Sequence, residues 1–165
     1  MFNRILLAID DSPAGPAAVS FAIAMANDSG ASVHVVHVNE FLVGGRGHTV
    51  ETRLEAAAVL QDAVSEFEAA GVSATGVVIT SSCFNVARHV ADLAQGERAD
   101  VIVLGSRRRS RLGGLRGKSM RERITGLTSL PVLAAPPPLR VGRRGRLGSR
   151  ELAMTRSPKR AKVSR

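Results

Sequence analysis

Residues 5–13 read ILLAIDDSP: a continuous apolar run, two aspartates, then a serine and a proline. An apolar run of strand length without alternation has no face left for water, so it reads as a strand buried on both sides, as in a parallel sheet. Similar near-continuous runs recur at residues 33–38, 77–79 and 101–104, with a shorter one at 132–134. Helical patterns lie between them. Asp11-Ser12-Pro13 offers an N-cap with proline at the first helical position, Pro16 is tolerable in a first turn, and Gly30 closes the helix.

Residues 48–70 set Val50, Leu54, Ala57, Leu60, Val64 and Phe67 on one face at spacings of three and four, with Gly71 as the stop. A third helix buries Val86, Val90 and Leu93 and stops at Gly96, and a short fourth begins at Ser119. The order β-α-β-α-β-α-β-α-β, with right-handed crossovers, makes an α/β fold: a doubly wound five-stranded parallel sheet with helices on both faces. Ligands bind such sheets beyond the carboxyl ends of the strands, where the strand order reverses.

At 165 residues and 44% hydrophobic content, the chain suits one domain with its own core. It has no apolar run long enough for a bilayer span and no signal-peptide pattern, so no membrane association is expected and the expected location is cytoplasmic. Cys83 is the only cysteine, which excludes an intramolecular disulfide and a cysteine zinc site. It reads as a small buried apolar residue.

The net charge of +9 is unevenly spread. Residues 1–138 hold 13 basic and 13 acidic residues, whereas residues 139–165 hold ten Lys and Arg against Glu151. After Pro136-Pro137-Pro138 the apolar pattern ends, and residues 139–165 read as a basic disordered tail that buries too little to offset its ordering entropy. Its SPKRAK stretch suits weak, salt-sensitive contact with polyanions, and without an aromatic residue it has no base-stacking platform.

Residues 105–124 read GSRRRSRLGGLRGKSMRERI. Gly117-Lys118-Ser119 invites a P-loop reading, but the motif needs glycine where Leu112 stands, and the loop does not follow the first strand. Ser119 and Glu122 have capping-box spacing, and a helix start also favours phosphate. Arg107, Arg108, Arg109, Arg111, Arg116, Lys118, Arg121 and Arg123 face Glu122 alone. They read equally as a solvated loop or as an anion site for ATP, polyphosphate or nucleic acid. His34 and His37, an odd number apart on a strand, face opposite sides and cannot share a metal. His48 and His89 have no carboxylate at useful spacing. Neither paired carboxylates nor a Ser/His/Asp set argues for catalysis.

AIDDS at residues 8–12, VHVVHV at 33–38, ADVIVLGS at 99–106 and SMRERI…SLPVL at 119–133, in this order and spacing, resemble the universal stress protein family from residue 3 to about residue 135. The resemblance implies a flavodoxin-like, Rossmann-like layout with sheet order 3-2-1-4-5, which puts the switch point between the first and fourth strands, at loops beginning with Asp10 and Gly105. It also implies frequent homodimers through the last strand and, in one branch, an ATP site with Mg²⁺ bound by a loop G-x2-G-x9-G-[ST]. Laid on this chain, that loop runs from Gly105 to Ser119, with Arg108 and Lys118 in two glycine positions and Met120 beside its end. Asp10 matches the acidic residue that meets the nucleoside, Val38 the strand residue whose backbone reads adenine, and Leu104 the base pocket. Arg108 and Lys118 remove backbone freedom but add phosphate-binding cations. Three readings follow: a stress-response regulator that binds adenine nucleotide with at most slow hydrolysis, a dimeric interaction module with a polyanion-binding tail, and an enzyme of another nucleotide-binding α/β family.

Overall fold

The computed structural model describes residues 1–41, 49, 51–105 and 119–137. Arg108, Lys118 and the expected tail, residues 139–165, lie outside the described residues. The elements follow the expected alternation: β1 (Arg4–Ile9), α1 (Gly15–Ser29), β2 (Ser32–Phe41), α2 (Arg53–Ala69), β3 (Ala74–Ser82), α3 (Val86–Gly96), β4 (Val101–Leu104), α4 (Met120–Thr125) and β5 (Val132–Ala134). The strands form one parallel sheet in the order β3-β2-β1-β4-β5, as the resemblance implies.

β1 is the central strand, and its alternate residues serve two cores. Ile5, Leu7 and Ile9 join Val33, Val35, Val101 and Val103 against Ala18, Ala22, Ala63 and Phe67 of α1 and α2. Leu6 and Ala8 join Val36, Val38, Ile102 and Leu104 against Val86, Val90 and Ala94 of α3 and Ile124 of α4. β3 is longer than its apolar run at 77–79 because it is an edge strand. It pairs with β2 from Ala74 to Ser82, while much of its surface faces water.

Two helix starts differ from the sequence reading. Asp11-Ser12-Pro13 is not the N-cap of α1. The Asp10 carboxylate accepts the Ser12 N–H at 3.1 Å, and the Gly15 N–H donates to the Ser12 carbonyl at 2.9 Å, so a local turn occupies these residues. The helix begins at Gly15 from an Ala14 cap without a side-chain bond. α2 begins at Arg53, later than residue 48, because Thr52 and Glu55 form a reciprocal capping box.

The buried face of α2 is also rotated from the expected one. Ala56, Ala63 and Phe67 are buried, and the expected Leu60 and Val64 pack half-buried against the same core, whereas Leu54 is 84% exposed and Ala57 is exposed. Small alanines let the helix approach the sheet and so set its phase, a role that a pattern of bulky residues does not reveal. Gly30 and Gly71, at φ of 70° and 75°, end α1 and α2 as expected.

At the amino end of the sheet the Asp100 carboxylate accepts the backbone N–H groups of Asn3 (2.6 Å) and Arg4 (2.9 Å). These bonds, Asn3 first and Arg4 second, hold its carboxyl below the ordinary carboxylate range. A depressed folded pKa stabilises above the unfolded value of about 3.9 and ceases to do so as pH falls through the folded value. Asp100→Asn is therefore expected to be less stable than the parent at pH 7, with the gap closing below about pH 4, as read from urea unfolding at both pH values. Phe67→Ala should cost about 3–5 kcal/mol in the same assay, while Leu54→Ala should stay within about 0.5 kcal/mol.

Candidate functional site

The winding of the sheet reverses between β1 and β4, so their carboxyl ends open the switch-point crevice. Asp10, half-buried, follows β1, and Gly105, also half-buried, follows β4. A Cβ on Gly105 would stand 3.3 Å from the Ala14 Cβ, tighter than ordinary packing, so glycine lets the β4 end pass close to the start of α1. Val38 and Leu104 are buried in the core shared with Ala8, and half-buried Met120 packs against that core. Ser119 caps α4.

The structure therefore brings Asp10, Val38, Leu104, Gly105, Ser119 and Met120 to the carboxyl side of the sheet. The described part offers a turn with a carboxylate, a glycine at a close backbone approach and an apolar wall.

The hydroxyl of Ser119 already has partners. It donates to Glu122 Oε2 at 2.8 Å and accepts the Glu122 N–H at 3.2 Å, while the Ser119 N–H donates to the same carboxylate at 2.6 Å. The capping box expected from the sequence is formed. Two members of the arginine cluster also have structural work. Arg121 Nε donates to the Val132 carbonyl at 3.2 Å. Arg123 donates to the carbonyls of Cys83 (3.1 Å) and Phe84 (2.5 Å), which fastens α4 to the β3–α3 turn. The guanidinium fork suits such paired carbonyls, so these two residues are spoken for in a way the charge count does not show. Cys83 itself is half-buried, less enclosed than expected.

A buried polar cluster lies at the end of β2 and joins residues that no motif of the sequence links. His37 Nε2 and Glu51 Oε2 are 2.6 Å apart, with the histidine side chain fully buried. Asn39 donates to the Glu51 carbonyl at 2.9 Å and accepts the Glu51 N–H at 3.4 Å. These bonds tie the approach to α2 onto β2. The nearest signal was His37 itself, a polar residue at a core-facing position of an apolar strand, which requires a partner. Nothing in the spacing pointed to Glu51. His34 faces the other way, toward Thr75 Oγ1 at 2.9 Å. Among the described residues no group of three His, Cys, Asp or Glu gathers as for a metal, and no helix is long and apolar enough to cross a membrane.

Among the described residues His37 Nδ1 is buried without a hydrogen-bond partner. Glu51→Ala would orphan Nε2 as well, and should cost about 2 kcal/mol in urea unfolding, with Glu51→Gln recovering most of it.

Three comparisons bear on this arrangement. The model of the universal stress protein family matches residues 1–136. No curated protein sequence matches the chain. Among solved structures, a universal stress protein family member from Burkholderia pseudomallei superposes with a TM-score of 0.65 at 25% identity, covering 81% of this chain and 96% of its own. One from Archaeoglobus fulgidus gives 0.64 at 26% identity, covering 82% and 100%. Another from Archaeoglobus fulgidus, in complex with dAMP, gives 0.60 at 24% identity, covering 81% and 98%, and is a likeness of fold.

Proposed function

The chain belongs to the universal stress protein family, and from that premise we propose that it is a non-catalytic regulatory protein of the stress response that binds an adenine nucleotide, ATP with Mg²⁺. What supports this reading is that Asp10 and Gly105 follow the two strands flanking the reversal of the sheet, near the core of Val38 and Leu104 against which Met120 packs. A universal stress protein of the same fold is known in complex with dAMP, and another in complex with cAMP. Asp10 accepts ribose hydroxyls, the backbone at Val38 meets the adenine edge, and Gly105 starts the phosphate loop. Arg108 and Lys118, in positions that the family's ATP branch gives to glycine, donate to the phosphates through side chains. Mg²⁺ would bridge phosphate oxygens and lower their charge. A homodimer through β5, the short edge strand, completes the assembly in this reading.

A second reading, an interaction module that binds no nucleotide, is favoured by one specific observation. The Ser119 hydroxyl is engaged with Glu122, so a phosphate must compete with the capping box for it.

Calorimetry on the full chain, freed of carried-over ligand, separates the two. Micromolar binding of ATP with Mg²⁺, about 8 kcal/mol, is expected. Asp10→Ala should weaken it by about tenfold or more, or roughly 1.4 kcal/mol. Arg108→Ala with Lys118→Ala should abolish the signal. No heat with the parent chain, or binding gained when the same two residues become glycine, would support the second reading.

A further inference from the structure

On the α1 and α2 side of the sheet, at the carboxyl end of β1, a cavity of about 440 Å³ opens between the start of α1 and the middle of α2. Ile9, Val19, Val59 and Ala63 make its apolar floor. Asp11, Asp62 and Glu66 stand on its rim, all exposed. Among the described residues none of these three carboxylates pairs with a Lys or Arg. Exposed carboxylates normally take solvent or a mobile cation, but here they frame an apolar crease.

We propose that this groove is the docking site of the chain's own C-terminal segment, residues 150–162. The segment reads RELAMTRSPKRAK. Leu152-Ala153-Met154 is the longest run of apolar residues after residue 138, and it is flanked by Arg150 and Arg156 and followed by Lys159, Arg160 and Lys162. Two aliphatic side chains suit a cavity of this size, and the flanking cations meet the rim. The charge match is one of sign: the rim is carboxylate, and residues 139–165 carry ten Lys and Arg against Glu151.

The geometry of the exit supports docking within one chain. Ala135, just after β5, is buried in the same core as Ile9, Val19 and Ala63. Its N–H donates to the Leu104 carbonyl at 2.8 Å. The chain therefore leaves the sheet at the groove's end of the molecule, with β5 two strand spacings, roughly 10 Å, from β1. The residues from Pro137 to Arg150 reach up to about 40 Å when extended, far more than the groove requires. Tethering at that length gives an effective concentration on the order of millimolar, enough for a weak site to fill. Docking lays the segment over Asp11-Ser12-Pro13, beside Asp10. It does not depend on nucleotide binding, and its test uses none.

The test is paramagnetic relaxation on the full chain. A nitroxide goes on Ser157→Cys in a Cys83→Ser background, and backbone amides are read at residues 11–19 and 59–66. The expected result is loss of about half or more of their intensity, confined to those stretches, as a mostly docked population gives. The loss should disappear on Asp62→Lys with Glu66→Lys. It should also disappear at about 0.5 M NaCl, where the screening length falls below about 5 Å. Both residues are exposed, so a dispersed amide spectrum identifies a folded variant. No localised loss, or a loss unchanged by charge reversal, overturns the proposal. The same loss in labelled chains mixed with nitroxide-bearing unlabelled chains also overturns it, because the contact would then lie between molecules.

Discussion

Everything in this molecule hangs on the burial of β1 from both sides. Ile5, Leu6 and Leu7 are fully excluded from water, and fully burying side chains of this size contributes about 1.5–3 kcal/mol each. A strand with two apolar faces has to be covered twice, so the chain must supply helices on both sides and neighbours on both edges. The only connections that do this without crossing are right-handed β-α-β units running outward in two directions. The crevice between β1 and β4 follows from that winding. The site is a consequence of how the core is closed, and Asp10 and Gly105 occupy it because they end the two strands that flank the reversal.

The parts of the fold legible in the sequence are those in which one local interaction dominates. β4 and β5 are bounded as their apolar runs suggest, and the Ser119–Glu122 capping box is formed because its members lie three residues apart. Where several local options compete, the reading shifts. Asp11-Ser12-Pro13 has the composition of a helix cap, yet the Asp10 carboxylate takes the Ser12 amide first and the helix starts later. The face of α2 turns on alanines, which mark close approach more than hydrophobicity, so Leu54 is left in solvent. β2 continues through Asn39 and Glu40 because it stays paired with β3 there, and the Asn39 side chain finds the Glu51 backbone, a partner twelve residues away.

The same division applies to the site. Its frame is legible, since the ends of β1 and β4 and the start of α4 are all marked locally. Its chemistry is less so. Eight Lys and Arg in one stretch look alike on paper, but Arg121 and Arg123 donate to main-chain carbonyls of β5 and of the β3–α3 turn. An arginine so engaged fixes α4 rather than serving a ligand. His37 and Glu51 meet only after β2 and α2 have packed, so no spacing could announce the pair.

Charge ties these observations together. A chain whose first 138 residues balance to zero, yet whose last 27 carry +9, has separated its electrostatics from its fold. Among the described residues the surface ion pair Arg4–Glu97, at 3.9 Å, is a class of contact worth about 0–1 kcal/mol. Stability rests on the two apolar cores and on the capping boxes that start α2 and α4, and among the described residues Asp11, Asp62 and Glu66 pair with no Lys or Arg. Charge that folding does not use remains available for recognition, where screening by salt makes it adjustable. An acidic rim at the carboxyl end of β1 and a basic segment leaving from the end of β5 are therefore complementary by sign and close by topology, independently of how the core is packed.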